Sequence, residues 1–381
     1  MLPTMGTTAD LWDRTTTFAP GDVTGAVGDS VTVLPVVVAV SALTELRLPV
    51  LLLWFGAFQV VWGLRYGAPV SVEPMKALAA LVIAGSLTVP ELALAGTLSG
   101  VVLLSLGSVG ALGALAERID PAVIRGVQLA VALVLARTGV ELGAGAPGTA
   151  LAAAAVGGAV VALGYRRAAA LAVLAVGVGL AATETGAPSV AVPNLDVGIL
   201  RGGAGVAVAA EAATGDAFAL TADALAATGA QLAMTVGNAA VATSLLLDDL
   251  YDAAVSPDEL ATSMGAMNLL AVPLGALPMC HGSGGVAGKH AFGARTAGAN
   301  LILGVLYAVA ALGAAELVAA FPMAALGVVL ALVAVELGKA SLDTDSLGLT
   351  AAVGVLGVAT NVGLAFAAGI AASAVLTRLR S

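Results

Sequence analysis

The chain is short of charge, sulfur and histidine. Asp, Glu, Lys and Arg together make up 10% of its 381 residues, against 60% apolar. A soluble protein of this length could not keep its surface wet with so few charges. The single cysteine, Cys280, excludes an intrachain disulfide and a Cys-based zinc cluster. Two histidines, His281 and His290, leave no multi-His metal site, and no cofactor is expected. A net charge of −9 excludes a nucleic-acid footprint. No nucleophile–base motif is visible, so the chain does not read as an enzyme. What remains, with a mean hydropathy of +1.04, is an all-α polytopic membrane protein embedded in the lipid bilayer. The first 20 residues lack a basic head and an apolar run, so the first membrane helix is expected to serve as its own insertion signal.

Against this apolar background one stretch stands out. Residues 69–80 read Pro-Val-Ser-Val-Glu-Pro-Met-Lys-Ala-Leu-Ala-Ala. An extended piece meets Pro74, whose fixed φ and missing N–H suit a first helical turn, and a helix-forming run follows. A helix that starts at membrane depth leaves free N–H groups and a positive dipole end there, an anion site to which Lys76 adds a full charge. Residues 277–288, Leu-Pro-Met-Cys-His-Gly-Ser-Gly-Gly-Val-Ala-Gly, repeat the plan with a glycine-rich turn whose N–H groups can approach a ligand. Roughly half the chain separates the two. This suggests two repeats that bring two broken helices together at the midplane, as in many secondary transporters.

The hydropathy order predicts about fourteen transmembrane segments: 22–44, 48–64, 69–85, 91–113, 121–141, 147–164, 167–183, then 218–247, 259–277, 280–293, 297–319, 322–338, 347–362 and 363–378. The expected organisation is a surface segment over 1–20, one membrane repeat over 21–183, a connector over 184–217 and a second repeat over 218–378. An odd number of spans, seven per repeat, makes the second repeat inverted, with the third and tenth segments broken. Gly25-Ala-Val-Gly-Asp29 and Gly229-Ala-Gln-Leu-Ala-Met-Thr-Val-Gly-Asn238 sit at matching places in the halves. With both termini cytoplasmic in the plasma membrane, the inner loops hold Arg14, Arg65, Arg118, Arg125, Arg166, Arg167, Lys289, Arg295, Lys339, Arg378 and Arg380. The outer side holds Arg47, Arg137 and Arg201. Glycine and alanine dominate spans such as 149–163 and 351–363, and small residues let helices approach closely in lipid.

An ionisable residue inside a span is a functional candidate. Lys76 attracts an anion or pairs with Glu73 or Asp29, and nothing forbids both, since Glu73 can hold Lys76 when no substrate is present. Asp29 either caps and pairs or couples protons. Glu73 either caps the helix after Pro74 or couples protons, and a carboxylate there repels an anion unless it is protonated or held by Lys76. Gln231 and Asn238, two turns apart on the eighth span, can donate to an oxyanion or bond between helices. His281 can donate to a substrate, titrate with a coupled proton, or be a buried structural histidine. Ser71 and Val72 of the extended stretch complete the candidate contacts on one side, and Ser283 with the N–H groups around Gly282, Gly284 and Gly285 completes the second cradle. The loose GxGxxA match at 282–287 lacks the strand and soluble βαβ unit of a dinucleotide site. Asp248, Asp249 and Asp252 read as a solvated helix end.

The stretch Pro69–Ala80 resembles the Pro-x-x-Pro-Met-Lys-x-x-Ala-Ala signature of the molybdate transporter family, a relative of the sulfate permeases. Pro278-Met-Cys-His-Gly-Ser-Gly-Gly-Val-Ala-Gly288 with Phe292-Gly-Ala-Arg295 is similar to that family's second signature, and Arg125-Gly-Val-Gln128 and Gly25-Ala-Val-Gly-Asp29 also fit. The resemblance covers residues 20–375. It implies a seven-plus-seven inverted repeat in which a core domain moves against a gate domain. It also implies uptake of a tetrahedral oxyanion, molybdate first and sulfate second, with a co-transported proton or cation; a homodimer stays open. The family often has glutamine where Glu73 stands. The competing expectation is a nucleobase or organic-anion/proton symporter of the same fold.

Overall fold

A computed structural model describes residues 18–185 and 221–380. The surface segment expected over 1–20 therefore lies almost wholly outside the described residues. So does the connector over 184–217, apart from its first two residues.

The first half runs α1 (Asp22–Leu43), α2 (Leu48–Tyr66), a two-residue strand β1 (Glu73–Pro74), α3 (Lys76–Ile83), α4 (Val89–Ser108), α5 (Leu112–Ala116), α6 (Pro121–Ala144), α7 (Pro147–Ala162) and α8 (Ala169–Thr185). The second half runs α9 (Ala222–Met234), a π-helical turn Thr235–Val241, α10 (Ala242–Tyr251), α11 (Pro257–Ala271), β2 (Met279–Cys280), α12 (Ser283–Ala291), α13 (Gly298–Ala319), α14 (Met323–Ser341), α15 (Leu347–Ala359) and α16 (Val362–Arg380).

Local chemistry explains the starts and stops. Thr88 and Ser256 each accept from a backbone N–H three residues on, Glu91 and Glu259 reach back, and a proline stands in each first turn. Gly67 ends α2 with φ of 61°, a left-handed conformation that a glycine adopts at little cost. Asp252 closes α10 in the same region, with φ of 50°, while Asp248 and Asp249 are exposed on that helix end.

Among the described residues, six helices are long and apolar enough to cross a membrane. They are α1, α2, α4, α6, the continuous Ala222–Tyr251 stretch and α14. Five shorter apolar helices accompany them. The expected third and tenth segments depart most from a continuous helix. Each is an extended piece followed by a short helix, α3 of 8 residues and α12 of 9 residues. At 1.5 Å per residue α3 spans only about 12 Å, well short of a bilayer. The expected fourth span, 91–113, stops at Ser108, and α5 is a separate short helix.

The strands join the halves. β1 pairs antiparallel with β2, Glu73 opposite Cys280 and Pro74 opposite Met279. Met75 N–H donates to Pro278 O at 2.8 Å. Side-chain amides extend this small sheet on both sides. Asn268 of α11 donates to Met279 O at 2.6 Å and accepts from Met279 N–H at 2.7 Å, while Gln59 of α2 donates to Val72 O at 3.2 Å. Around this centre α1 packs on α12, α2 on α13, α3 on α9 and α4 on α11. A second group, α6 with α14 and α15, and α14 with α8, packs alongside.

One reading of the sequence is corrected here. Lys289, counted above among the inner-loop cations, lies in α12 with no exposed surface. The glycines act where helices meet. A Cβ on Gly327 of α14 would run into Gly139 O and come within 2.8 Å of Gly143 N on α6. Gly327→Val is expected to destabilise the protein by about 1–3 kcal/mol through overpacking, read as a lower Tm in detergent. Gly148→Val, where nothing lies within 4 Å, serves as the control and should leave Tm unchanged.

Candidate functional site

The site forms where β1 and β2 hand over to α3 and α12. The first turn of each helix is supplied with an acceptor from the other half of the chain. Gln231 of α9 places Oε1 3.0 Å from Ala77 N–H and 3.4 Å from Leu78 N–H, the unsatisfied donors at the start of α3. Its Nε2 donates to Thr235 at 2.9 Å. Because the facing backbone groups are donors, the amide must present its oxygen to α3. Of the two roles expected of Gln231, donation to an oxyanion and bonding between helices, this arrangement contains the second. Asn238, three residues past Thr235, falls in the π-helical turn and faces the same cavity.

Glu73 performs the matching service for α12. Its Oε1 accepts from Gly285 N–H at 2.6 Å, and its Oε2 forms an ion pair with Lys76. Hydroxyls of Thr32 and Ser71 lie 3.3 and 3.5 Å from Oε1. The helix after Pro74 starts from Met75 with no side-chain cap, so Glu73 caps α12 instead of its own helix. The glycines of the second cradle close around this carboxylate. A Cβ at Gly282 would overlap it, and one at Gly285 would lie 2.5 Å from Oε1.

Behind Glu73 sits a second ion pair. Lys289 Nζ is 3.2 Å from Asp29 Oδ2, and both side chains have no exposed surface. Lys289 also donates to Gln59 Oε1 at 2.8 Å, Val70 O at 2.6 Å and Asn300 Oδ1 at 2.9 Å. Asp29 accepts from Gln59 Nε2 and Ser71 Oγ, both at 2.5 Å. This network ties α1, α2, α12 and α13 to the extended stretch. His281 is buried as well. Its Nδ1 donates to Ser71 O at 2.9 Å, so its Nε2, 2.7 Å from Ser263 Oγ, accepts from that hydroxyl. Both ring nitrogens are thus held by the protein.

A cavity of about 720 Å³ opens onto this arrangement. Of the residues singled out in the sequence, Lys76, Gln231, Asn238, His281, Gly282, Ser283 and Gly284 line it. Ser71, Val72, Glu73 and Asp29 are fully buried behind that wall. Lys76 keeps a quarter of its side chain exposed, and Arg125, Arg166 and Lys339 are further cations on the lining. A smaller cavity of about 330 Å³ lies at the other end of α3, against Leu81, Ala84 and Arg137.

Sequence reasoning missed Gln59, Asn268, Asn300 and the buried role of Lys289. The three amides carried a usable signal, since each is a polar residue inside an apolar run. Lys289 carried one too, since it falls inside the expected segment 280–293, but its place near the end of that segment beside His290 put it with the inner cations.

Comparison with known proteins now places the chain. A family described as "Molybdate transporter of MFS superfamily" matches residues 21–135 and again residues 223–337. The chain belongs to this molybdate transporter family. Molybdate transporter 2 of Arabidopsis thaliana is 28% identical over 85% of this chain and 79% of its own length. Molybdate transporter 1 of the same plant is 27% identical over 86% and 81%. Among solved structures, the fold is similar to the transmembrane domain of a cyanobacterium bicarbonate transporter, BicA (TM-score 0.61, 17% identity), which covers 93% of this chain and 97% of that one. It is also similar to a murine Solute Carrier 26 family member A9 anion transporter in the inward-facing state (TM-score 0.62, 16% identity), over 96% of this chain and 69% of that one. The chain of this family is a multi-pass membrane transporter and not an enzyme.

The buried pair makes a stability prediction. Lys289→Met leaves Asp29 uncompensated and is expected to destabilise the protein by about 3–5 kcal/mol, whereas the double variant with Asp29→Asn recovers most of that loss. Thermal unfolding in detergent measures both; a single variant as stable as wild type would show that the pair is not needed.

Proposed function

We propose that the protein is a secondary active transporter that imports a tetrahedral oxyanion, molybdate first and sulfate second, by alternating access. The observation that carries this reading is Lys76 at the floor of the large cavity, between the first turns of α3 and α12. A cation and two helix N-termini converge there, which is the chemistry that holds an oxyanion. Membership of a molybdate transporter family sets molybdate ahead of sulfate.

The fourteen-segment, seven-plus-seven inverted repeat, with repeats over 21–183 and 218–378, has two supports. One family description matches both halves. The packing pairs also interchange when the halves are swapped, α1·α12 with α9·α3 and α2·α13 with α11·α4. Alternating access is supported by the two cavities at opposite ends of α3, of which the larger reaches Lys76. Its mouth carries Arg125, Arg166 and Lys339, all assigned to the inner side, and the smaller cavity carries the outer-side Arg137. The arrangement is then inward-facing, with cytoplasmic termini in the plasma membrane.

Charge supports coupling. Lys76 and Glu73 balance, and so do Lys289 and Asp29. A dianion entering this neutral set needs a co-transported proton or cation, and Glu73 and Asp29 are the carboxylates placed to meet it. The organic-anion or nucleobase symporter remains the second reading, because the cavity exceeds a tetrahedral oxyanion in size and Phe292 gives its wall an aromatic ring.

The test is molybdate binding to purified protein with sulfate and uracil as competitors. Wild type should bind molybdate and release it poorly to sulfate. Lys76→Ala should weaken binding by about 100-fold or more, as expected when one partner of a buried charge pair is truncated. Retained affinity in that variant removes Lys76 from the site. Displacement by uracil and not by sulfate selects the second reading.

A further inference from the structure

The oxyanion cradle is occupied by the protein's own carboxylate. Glu73 has no exposed surface, yet its two oxygens sit on the groups that would bind a substrate oxygen: the Lys76 ammonium, and the Gly285 N–H in the first turn of α12. The glycines at 282 and 285 pack against Glu73 itself, so the carboxylate fills the space directly over them. Other charged or titratable groups around it are already committed. Asp29 is held by Lys289, Gln59 and Ser71, and His281 by Ser71 O and Ser263. Cys280, opposite Glu73 in the strand pair, has its Sγ 3.8 Å from Pro74 O. Glu73 is therefore the group that a newly arrived anion would meet in competition.

We propose that Glu73 is a tethered competitor for the oxyanion: its carboxylate holds the place on Lys76 and the Gly285 N–H that a substrate oxygen takes, and substrate binding expels it. This rests on the oxyanion reading of the same site. Two like charges cannot share one ammonium and one N–H without strong repulsion. Thr32, whose hydroxyl lies 3.3 Å from Oε1, also lines the cavity, so the carboxylate sits one side chain away from the space an anion would enter through. The return of the carboxylate then helps to release the anion, so affinity is traded for turnover. The competitor also discriminates. An anion that offers too few oxygens or too little charge cannot replace both of its contacts at once, and so is refused.

The test compares molybdate affinity and release in wild type and Glu73→Gln at one pH and salt concentration, in lipid nanodiscs. Removing the competing charge should tighten binding by about tenfold or more and slow release, the size expected for lost competition from a charge-assisted hydrogen bond. Unchanged or weaker binding by folded Glu73→Gln would overturn the proposal. If that variant does not fold, the infrared difference spectrum of wild type on adding molybdate decides. A shifted carboxylate stretch supports expulsion, and an unmoved one overturns it. If wild type binds molybdate and either result is negative, only the competitor role fails. If wild type binds neither molybdate nor sulfate, the oxyanion reading and the competitor role fall together.

Discussion

Charge buried among apolar helices has to be paired, and that constraint shapes the centre of this molecule. Stranding one ion in a low-dielectric interior costs about 3–5 kcal/mol, a large share of a domain's whole stability, and each buried cation here has a carboxylate against it. The two pairs differ in how they are enclosed. Lys289 and Asp29 are sealed on every side and surrounded by amides, a hydroxyl and a backbone carbonyl. Lys76 stands at the cavity wall and is partly open to it, with Glu73 buried just behind. A fully satisfied pair is suited to holding position. A pair with one side toward water is suited to exchanging partners.

The same accounting explains why the halves must assemble around each other. A helix that begins inside a membrane has donors that no lipid can satisfy. The first turn of α3 finds its acceptor in Gln231 from the second half, and that of α12 in Glu73 from the first. Neither half completes its own helix end. The strand pair and the reach of Asn268 and Gln59 onto the extended backbone extend this logic to the residues just before each helix. Sequence-distant contacts of this kind give the centre a defined register that Gly/Ala-rich helix packing alone would not specify.

How far this was legible depends on what kind of information each feature needs. Pro74 and Lys76 in an apolar chain announce a helix start and a charge from their chemistry alone, so the position of the site could be read. The pairing of Lys76 with Glu73 is legible from their spacing, and the structure contains that ion pair. The partner that Glu73 caps could not be read, because it lies 212 residues away across the fold. Gln231 was legible as a site residue, but the sequence does not say which end of an amide points where. The backbone donors of α3 decide that. Lys289 falls near the end of the expected segment 280–293, where a cation is equally compatible with an inner membrane face, and the packing of α12 against α1 is what buries it.

The two caps are unequal, and on the proposed reading this sets where coupling resides. Gln231 is neutral, so turning its oxygen away from α3 changes hydrogen bonds and leaves the charge of the site alone. Glu73 carries the charge that balances Lys76, so moving it changes the electrostatics of the whole cradle. An arriving dianion therefore perturbs the α12 side much more than the α3 side. Because Glu73 also joins the strand pair at Cys280, displacement of its side chain acts at the seam between the halves. A group that is at once a cap, a counter-charge and a strand residue is where substrate binding and the proposed movement of core against gate can share one free energy.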